Sequence, residues 1–386
     1  MGSGPTNPDP RVLRAMATGL VGQFDPTFTA LMSETQDLLR QVLATKNRAT
    51  FPVPGTSRAG MEAAVVSVIE PGERVVVVEN GRFGLLFEEI ARRAGTDVAV
   101  VRAPWGVPVD PDDIGRSLDA APTAAVLIVH AETSTGVMNP VRDITTVAHR
   151  RGTLVIVDAV CSFAGAALDT DAWGLDVVTA GTQKCLGCPS GLAPVTYSDA
   201  VSERMMRRRS PIRSNYLDLT QLDRYWSPER LNHHTAPTSM VYGLREALRI
   251  VLEEGLEPRI ARHRAAGEAM ADGLRALGLE LYGPPPGAAK MPMLAPVRVP
   301  DGIDDAAFRA RLLEAHGVEI MGAFGPLAGR IWRIGTMAGN AEPACVARAL
   351  GALADVLGIG ARERLPEALR AASQRFAAPA RAAARA

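Results

Sequence analysis

Alternation of short apolar runs with helical patterns is the feature that most limits how this chain can fold. Apolar runs bounded by polar residues or glycine are typical of buried strands, and helical patterns separate several of them. The predicted strands are residues 75–78, 98–101, 124–129, 154–157, 177–179 and 193–196, and the helices between them include 61–69, 85–94 and 144–151. This alternation favours a largely parallel sheet covered by helices, with ligands bound at the carboxyl ends of the strands.

Composition and charge exclude several classes of protein. The chain has 386 residues, 47% of them hydrophobic, which is enough to bury a sizeable core. Its 42 basic and 42 acidic residues cancel, and no long basic run offers a nucleic-acid surface. The first residues lack an apolar segment behind a basic one, and no apolar stretch is long enough to span a bilayer. We therefore expect a cytoplasmic protein without a nucleic-acid or membrane partner.

The four cysteines are too few to build a disulfide framework in a chain of this length. Cys185 and Cys188 have C-x-x-C spacing, but no second pair of cysteines and no nearby pair of histidines completes a set of four zinc ligands. We predict no metal site.

Lysine is rare here, since the 42 basic residues include only Lys46, Lys184 and Lys290. A guanidinium stays protonated, whereas a desolvated lysine can lose its proton and act as a nucleophile. A lysine in a chain that otherwise uses arginine is therefore a candidate for chemistry. A lone lysine is still most often a solvated surface amine, so the surrounding sequence must distinguish the three.

Lys184 and Asp158 follow two of the predicted strands, 177–179 and 154–157, and should face one crevice. Pyridoxal 5'-phosphate (PLP) binds a lysine through an imine, and it needs a carboxylate opposite its ring nitrogen to keep that nitrogen protonated. An isolated Asp is more often a helix cap. Together the two residues predict a PLP site in which Lys184 and Asp158 are the catalytic residues.

A phosphate site is the other requirement, and the sequence PGTSRAG at residues 54–60 precedes a predicted helix. A turn of small residues that opens a helix presents free amides and the positive end of the helix dipole to an anion. Thr56 and Ser57 add hydroxyl groups. The same pattern is also common as an ordinary helix cap, and it lacks the lysine of a P-loop.

From about residue 4 to residue 360 the chain resembles the class V aminotransferases, in particular the alanine-glyoxylate and serine-glyoxylate group. The segments that carry the resemblance are GTSRAGMEA, ENGRFG, HAETSTGV, VDAV, TQK, LNHHTAPTSMVYGLREAL and GPLAGRIWRIG. The resemblance implies an α/β fold of the type I PLP class. Its large domain has a mostly parallel seven-stranded sheet, and a smaller C-terminal α+β domain follows.

The resemblance also implies roles for individual residues. Around the cofactor it implies Thr56, Ser57, Arg58, Phe83, Thr133, Asp158, Val160, Gln183 and Lys184. Phe83 stands where the family usually has a tryptophan that stacks on the ring. Thr235, in the HHT segment, would contact the cofactor phosphate of a partner subunit, which implies a homodimer with shared active sites. Arg333 would hold the substrate carboxylate.

Two segments, residues 21–40 and 214–235, look most like the (S)-ureidoglycine-glyoxylate aminotransferases of purine degradation. Gln23 and Asn232 lie in them. Two carboxamides could hydrogen-bond the urea group of ureidoglycine, although both residues could equally be loop or capping residues. The predicted reaction transfers an amino group from ureidoglycine to glyoxylate, giving glycine, and alanine or serine is the alternative donor.

The expected domain boundaries are an arm at 1–13, a large domain at 14–245, a small domain at 246–360 and a tail at 361–386 that frays from about residue 371.

Two alternative functions on the same fold are disfavoured by the sequence. A cysteine desulfurase-like lyase usually reads A-A-Q after the aspartate, where this chain has AVC. The PLP-binding half of a transcription regulator would follow a DNA-binding domain, which we do not expect before Pro5.

Overall fold

The computed structural model describes residues 1–285, 287 and 289–383. The helices are Pro10–Met16 (α1), Pro26–Val42 (α2), Ser57–Val68 (α3), Arg82–Arg93 (α4), Pro111–Ala120 (α5), Val141–His149 (α6), Asp199–Met206 (α7), Leu219–Trp226 (α8), Thr238–Glu254 (α9), Leu256–Ala276 (α10), Asp305–His316 (α11), Pro343–Leu357 (α12) and Ile359–Ala383 (α13). The strands are Ala49–Pro54 (β1), Arg74–Glu79 (β2), Asp97–Arg102 (β3), Ala125–Val129 (β4), Ala131–Glu132 (β5), Val137–Met138 (β6), Leu154–Asp158 (β7), Val177–Thr179 (β8), Leu192–Tyr197 (β9), Leu294–Arg298 (β10) and Ile331–Gly335 (β11).

A seven-stranded sheet forms the centre of the fold, in the order β1-β9-β8-β7-β4-β2-β3. Its pairs are parallel except that β9 runs antiparallel to both of its neighbours. The predicted mostly parallel sheet is therefore confirmed. In the register of β7 with β8, Asp158 lies opposite Thr179. The carboxyl ends of these two strands consequently meet at one edge of the sheet.

Two strands of the central sheet differ from the expectation. β1 was not predicted, because Pro52 and Pro54 make its sequence a poor candidate for a strand; it pairs only with β9, at the sheet edge, where proline is tolerated. The strand predicted at 98–101 exists as β3, but the prediction that it is buried was wrong. β3 is the opposite edge strand, so its residues are only half-buried.

The described residues form two large hydrophobic cores and a smaller apolar cluster that includes Met291 and Met293. The larger surrounds the seven-stranded sheet and includes α9 as far as Val251. The second starts at Ala266 and joins α10, α12 and α13 to the β10–β11 pair, with Trp332 stacked on Phe308 at 4.2 Å. The predicted boundary after residue 245 falls inside α9, and we propose that the division lies near Gly255, between α9 and α10. No helix among the described residues is long and apolar enough to cross a membrane.

The prediction that the tail frays from about residue 371 was wrong as far as Phe376, which packs against the second core. Most of that segment belongs to α13, which packs against α10 and α12. Its alanines Ala361, Ala368 and Ala372 are buried in the second core, because small side chains let two helices approach closely. Arg375 adds an ion pair to Asp272 at 2.5 Å. Residues 384–386 of the predicted tail lie outside the described residues.

If α13 is part of the second core, a charge on its packed face should destabilise the protein. Ala368 is fully buried, so Ala368→Glu should lower the free energy of unfolding by about 3 kcal/mol through burial of an unpaired carboxylate. Urea unfolding measures this change. The exposed control Ser373→Glu, on the same helix, should stay within about 0.5 kcal/mol of the wild type. Equal stability of the two variants would contradict the packing of α13.

Candidate active site

A cavity of about 180 Å³ opens at the carboxyl edge of the central sheet. It is lined by Thr56, Ser57, Arg58, Met61, Phe83, Leu86, Val129, Ala131, Thr133, Asp158, Val160, Cys161, Gln183 and Lys184. All nine residues predicted to surround the cofactor within one chain are in this set. They come from the ends of β4 and β7, the starts of α3 and α4, and the loop after β8. The topology thus brings together side chains that are far apart in sequence.

Asp158 ends β7 and is buried, and its Oδ1 accepts a hydrogen bond from the amide of Val160 at 2.8 Å. Burial raises the pKa of Asp158 to about 7; the nearby Glu132 charge adds to that rise, whereas Val160 and Lys184 oppose it. A cationic group in the cavity would favour the ionised carboxylate. The site therefore suits a ligand with a protonated ring nitrogen, as PLP has.

The anion-binding part of the cavity is the start of α3. Thr56 is the N-cap, but its side chain does not cap the helix. Ser57 Oγ lies 2.9 Å from Gln183 Nε2. A Cβ on Gly181 would come within 2.5 Å of Ser57 Oγ and 2.7 Å of Val160 Cγ1, so glycine is needed for this close approach. Free amides at a helix start, two hydroxyls and Arg58 form a donor set that fits a phosphate group.

The N-terminal segment is part of the site, which sequence reasoning missed. Lys184 Nζ donates a hydrogen bond to the carbonyl of Ser3. Thr6 Oγ1 donates to the Lys184 carbonyl at 3.0 Å, and the Thr6 amide donates to the Gln183 carbonyl at 3.0 Å. A Cβ on Gly4, where φ is +92°, would meet Lys184 Cδ at 2.5 Å. Gly4-Pro5 marks a turn in the sequence, but only the fold reveals what that turn contacts.

Arg333 lies on β11 and contacts the cavity-lining Thr133, although it is not itself among the residues that line the cavity. It is buried in β11, where burial lowers its pKa. Its Nε donates to the carbonyl of Gly322 at 2.8 Å, its Nη1 lies 3.3 Å from the carbonyl of Thr133, and its guanidinium stacks on Phe324. These contacts fix the plane of the guanidinium beside the cavity-lining Thr133. Its other N–H groups could bind a carboxylate.

Gln23 and Asn232 lie together, although the cavity lining in this chain includes neither. Gln23 Nε2 donates to Asn232 Oδ1 at 3.2 Å, and Gln23 Oε1 accepts from the amide of Ala236 at 2.8 Å. Asn232 and Thr235 are exposed. The structure therefore pairs the two predicted substrate residues on an outer surface next to Thr235.

Glu132 is a second feature that the motifs alone did not single out. It is a fully buried carboxylate that contacts the first turn of α4, in which Phe83 lies. The sequence HAETS contains it, but a single acidic residue after a strand does not indicate which helix it will contact.

Comparison with known proteins gives consistent matches along the chain. A family model described as aminotransferase class-V matches residues 11–326. The (S)-ureidoglycine–glyoxylate transaminase of Bacillus subtilis strain 168 is 45% identical over 392 residues, which cover 96% of this chain and 94% of that protein.

Solved structures agree with the sequence matches. The crystal structure of a ureidoglycine-glyoxylate aminotransferase from Bacillus subtilis superposes with a TM-score of 0.93 at 46% identity, covering 97% of each chain. That of an alanine–glyoxylate aminotransferase from Nostoc sp. gives a TM-score of 0.91 at 40% identity, covering 93% of this chain and 94% of the other.

The raised pKa of Asp158 predicts a pH-dependent stability of the cofactor-free protein. The folded-state pKa of about 7 exceeds the ordinary value of 3.8, so stability is lost as the pH rises between them. Asp158→Asn removes this titration. Relative to that variant, the wild type should lose up to about 4 kcal/mol of unfolding free energy between pH 4 and pH 7. Urea unfolding at several pH values measures the difference, and parallel curves would contradict the assignment.

Proposed function

Because the chain belongs to the class V aminotransferases, we propose that it uses PLP to transfer the amino group of (S)-ureidoglycine to glyoxylate, giving glycine. The family membership confirms the expectation from the sequence, and the structural matches confirm the type I PLP fold. Class V aminotransferases depend on PLP. The observation that carries the proposal for this chain is the convergence of Asp158 and Lys184 in one cavity beside an anion-binding helix start.

PLP would supply a carrier for the amino group and a ring that can accept the electron pair released at the donor carbon. Asp158 would keep the ring nitrogen protonated from the buried end of the cavity. Thr56, Ser57 and Arg58 would bind the phosphate. Thr133, Val160 and Phe83 also line the cavity, and the ring of Phe83 offers a stacking face.

Lys184 Nζ is the group that would move the proton. As a general base it takes the proton from the α carbon of the donor, and as a general acid it returns that proton during the transfer. The Ser3 carbonyl accepts a hydrogen bond from Nζ, which keeps the amine within the cavity. Water supplies the oxygen of the 2-oxo acid formed from the donor, and one water molecule leaves when glyoxylate exchanges its aldehyde oxygen for the amino group and becomes glycine.

Arg333 would hold the carboxylate of each substrate in turn. Both the donor and glyoxylate carry a carboxylate next to the reacting carbon, so one fixed guanidinium can orient both. Its contacts with Gly322 and Thr133 leave further N–H groups for this purpose.

The donor is assigned through Gln23 and Asn232. Near full-length similarity to the Bacillus subtilis ureidoglycine–glyoxylate transaminase supports ureidoglycine. Because the paired carboxamides are not part of the cavity lining of their own chain, we propose that they act with Thr235 on the site of a partner subunit in a homodimer. There they would hydrogen-bond the urea group. We propose a cytoplasmic enzyme with no nucleic-acid or membrane partner.

Alanine or serine as the donor is the alternative. The structural similarity to the Nostoc alanine–glyoxylate aminotransferase favours it. These donors share the carboxylate and the amino group with ureidoglycine, so Arg333, Lys184 and Asp158 would serve all of them equally.

A donor scan with glyoxylate as acceptor tests the assignment. Glycine should form fastest from ureidoglycine, generated in situ from allantoate, and NMR of glycine measures the rate. Lys184→Ala should lower the rate at least about a thousandfold, because the proton transfer loses its base. Glycine formation from alanine or serine alone would replace ureidoglycine by the alternative donor. Normal turnover by Lys184→Ala would overturn the assignment of that lysine.

Mixed dimers test whether the active sites are shared. A Lys184→Ala subunit paired with an Asn232→Ala subunit regains one intact site if Asn232 acts across the interface, and none if it acts within its own chain. We therefore expect about half of the wild-type rate per mixed dimer with ureidoglycine, far above either parent dimer. Differently tagged subunits allow the mixed dimer to be purified before assay. A rate no higher than that of the better parent would contradict sharing.

A further inference from the structure

We propose that Glu132 is a positioning residue that, with Ser134, fixes the first turn of α4 and thereby holds the ring of Phe83 in the cofactor cavity. We call these two side chains the Glu132–Ser134 clamp. The part of the inference that concerns cofactor binding rests on the proposed PLP function. The part that concerns the local fold of α4 does not.

The carboxylate of Glu132 accepts four hydrogen bonds. Its Oε2 accepts from the amide of Phe83 at 3.0 Å and from that of Gly84 at 3.2 Å. Its Oε1 accepts from the amide of Ser134 at 3.0 Å and from Ser134 Oγ at 2.5 Å. Both oxygens are thus used, one towards α4 and one towards the turn after β5.

Ser134 extends the clamp by one residue. Its Oγ accepts a hydrogen bond from the amide of Arg82 at 2.8 Å. Three successive amides at the start of α4 therefore find acceptors on a segment about fifty residues away in sequence. Amides in the first turn of a helix have no partner within the helix, so a nearby side chain usually caps them. The N-cap of α4 is Gly81, which has no side chain to do so.

Gly81 shows that the close approach is built into the fold. A Cβ on this residue would lie 2.4 Å from Glu132 Cδ and 2.5 Å from Ser134 Oγ. Its φ of 176° is extended backbone, so space rather than conformation requires glycine. The missing side chain at the N-cap and the carboxylate that replaces it are therefore parts of one arrangement.

The clamp lies next to the reacting groups. Phe83, whose amide is held, lines the cavity together with Asp158 and Lys184. Burial raises the pKa of Glu132, and its four donors oppose that rise. The charge of Glu132 also contributes to the raised pKa of Asp158. Glu132 could therefore influence the cofactor in two ways, through the position of Phe83 and through the charge on Asp158, and the experiment must separate them.

Titration of the cofactor-free enzyme with PLP, followed by the absorbance of the bound cofactor, tests the clamp. Glu132→Gln replaces one acceptor oxygen by an NH₂ group that faces backbone donors, so PLP should bind at least about tenfold more weakly. In a Phe83→Ala background the same change should weaken binding less than about threefold, because the side chain that the clamp positions is gone. An undiminished effect in that background would mean that Glu132 acts through Asp158, and it would overturn the proposal.

Hydrogen exchange on the cofactor-free protein gives a readout that does not depend on PLP. The amides of Phe83 and Gly84 should exchange at least about tenfold faster in Glu132→Gln. Asp176→Asn is the matched control, since this buried carboxylate accepts from the Val155 amide at the amino end of the sheet. It should change neither exchange at α4 nor PLP affinity.

The outcomes distinguish the clamp from the proposed function. Failure of the wild type to bind PLP would overturn the function, while exchange at α4 would still test the clamp. If Glu132→Gln exchanged its α4 amides and bound PLP as the wild type does, the clamp alone would be overturned. If Glu132→Gln does not fold, Ser134→Ala replaces it, because it keeps the carboxylate and removes the acceptor for Arg82. That variant should speed exchange of the Arg82 amide, and unchanged exchange would count against the proposal.

Discussion

Parallel pairing of β7 with β8 is the constraint on which the site depends. Parallel strands end at the same edge of a sheet, so the pairing brings Asp158, the last residue of β7, beside the loop that follows β8 and carries Lys184. Hydrophobic burial of both strands holds this edge in place. Burial of the ionised Asp158 carboxylate costs more stability than the nearby Lys184 offsets, and a protonated ring nitrogen at this point would favour the ionised form.

Contacts of the N-terminal segment with β11 and with the Lys184 loop complete this edge. The carbonyl of Met1 accepts a hydrogen bond from the Gly335 amide at 2.7 Å, and Ser3 and Thr6 contact Lys184. The N-terminal segment therefore links the strand that carries Arg333 to the loop that carries Lys184. In the proposed mechanism Arg333 binds the substrate carboxylate and Lys184 transfers the proton, so this link would keep the spacing of the two groups fixed.

Sequence patterns predict those features of the structure that depend on residues close together in the chain. Apolar runs placed most strands of the central sheet, and four residues chosen because they follow strands or begin a helix line one cavity: Thr56, Ser57, Asp158 and Lys184. The errors concern contacts between distant segments. β1 forms in spite of its prolines because β9 provides a partner, and the alanine-rich α13 folds onto α10 instead of fraying. Glu132 was overlooked for the same reason, since its four donors include the amides of Phe83 and Gly84, which only the fold brings near.

The positions of Gln23 and Asn232 distinguish cofactor binding from the proposed selection of the amino donor. The cofactor cavity is built from strand ends and helix starts of one rigid sheet, whereas the paired carboxamides lie on an outer surface next to the HHT segment. If the paired carboxamides select the donor, substitutions at Gln23 or Asn232 would leave the contacts of Asp158 and Lys184 undisturbed. In the proposed homodimer, the groups around the cofactor would come mainly from one chain, while the choice of donor would depend on how two chains meet. For this reason the residues of the cavity indicate the type of reaction more firmly than they indicate the amino donor.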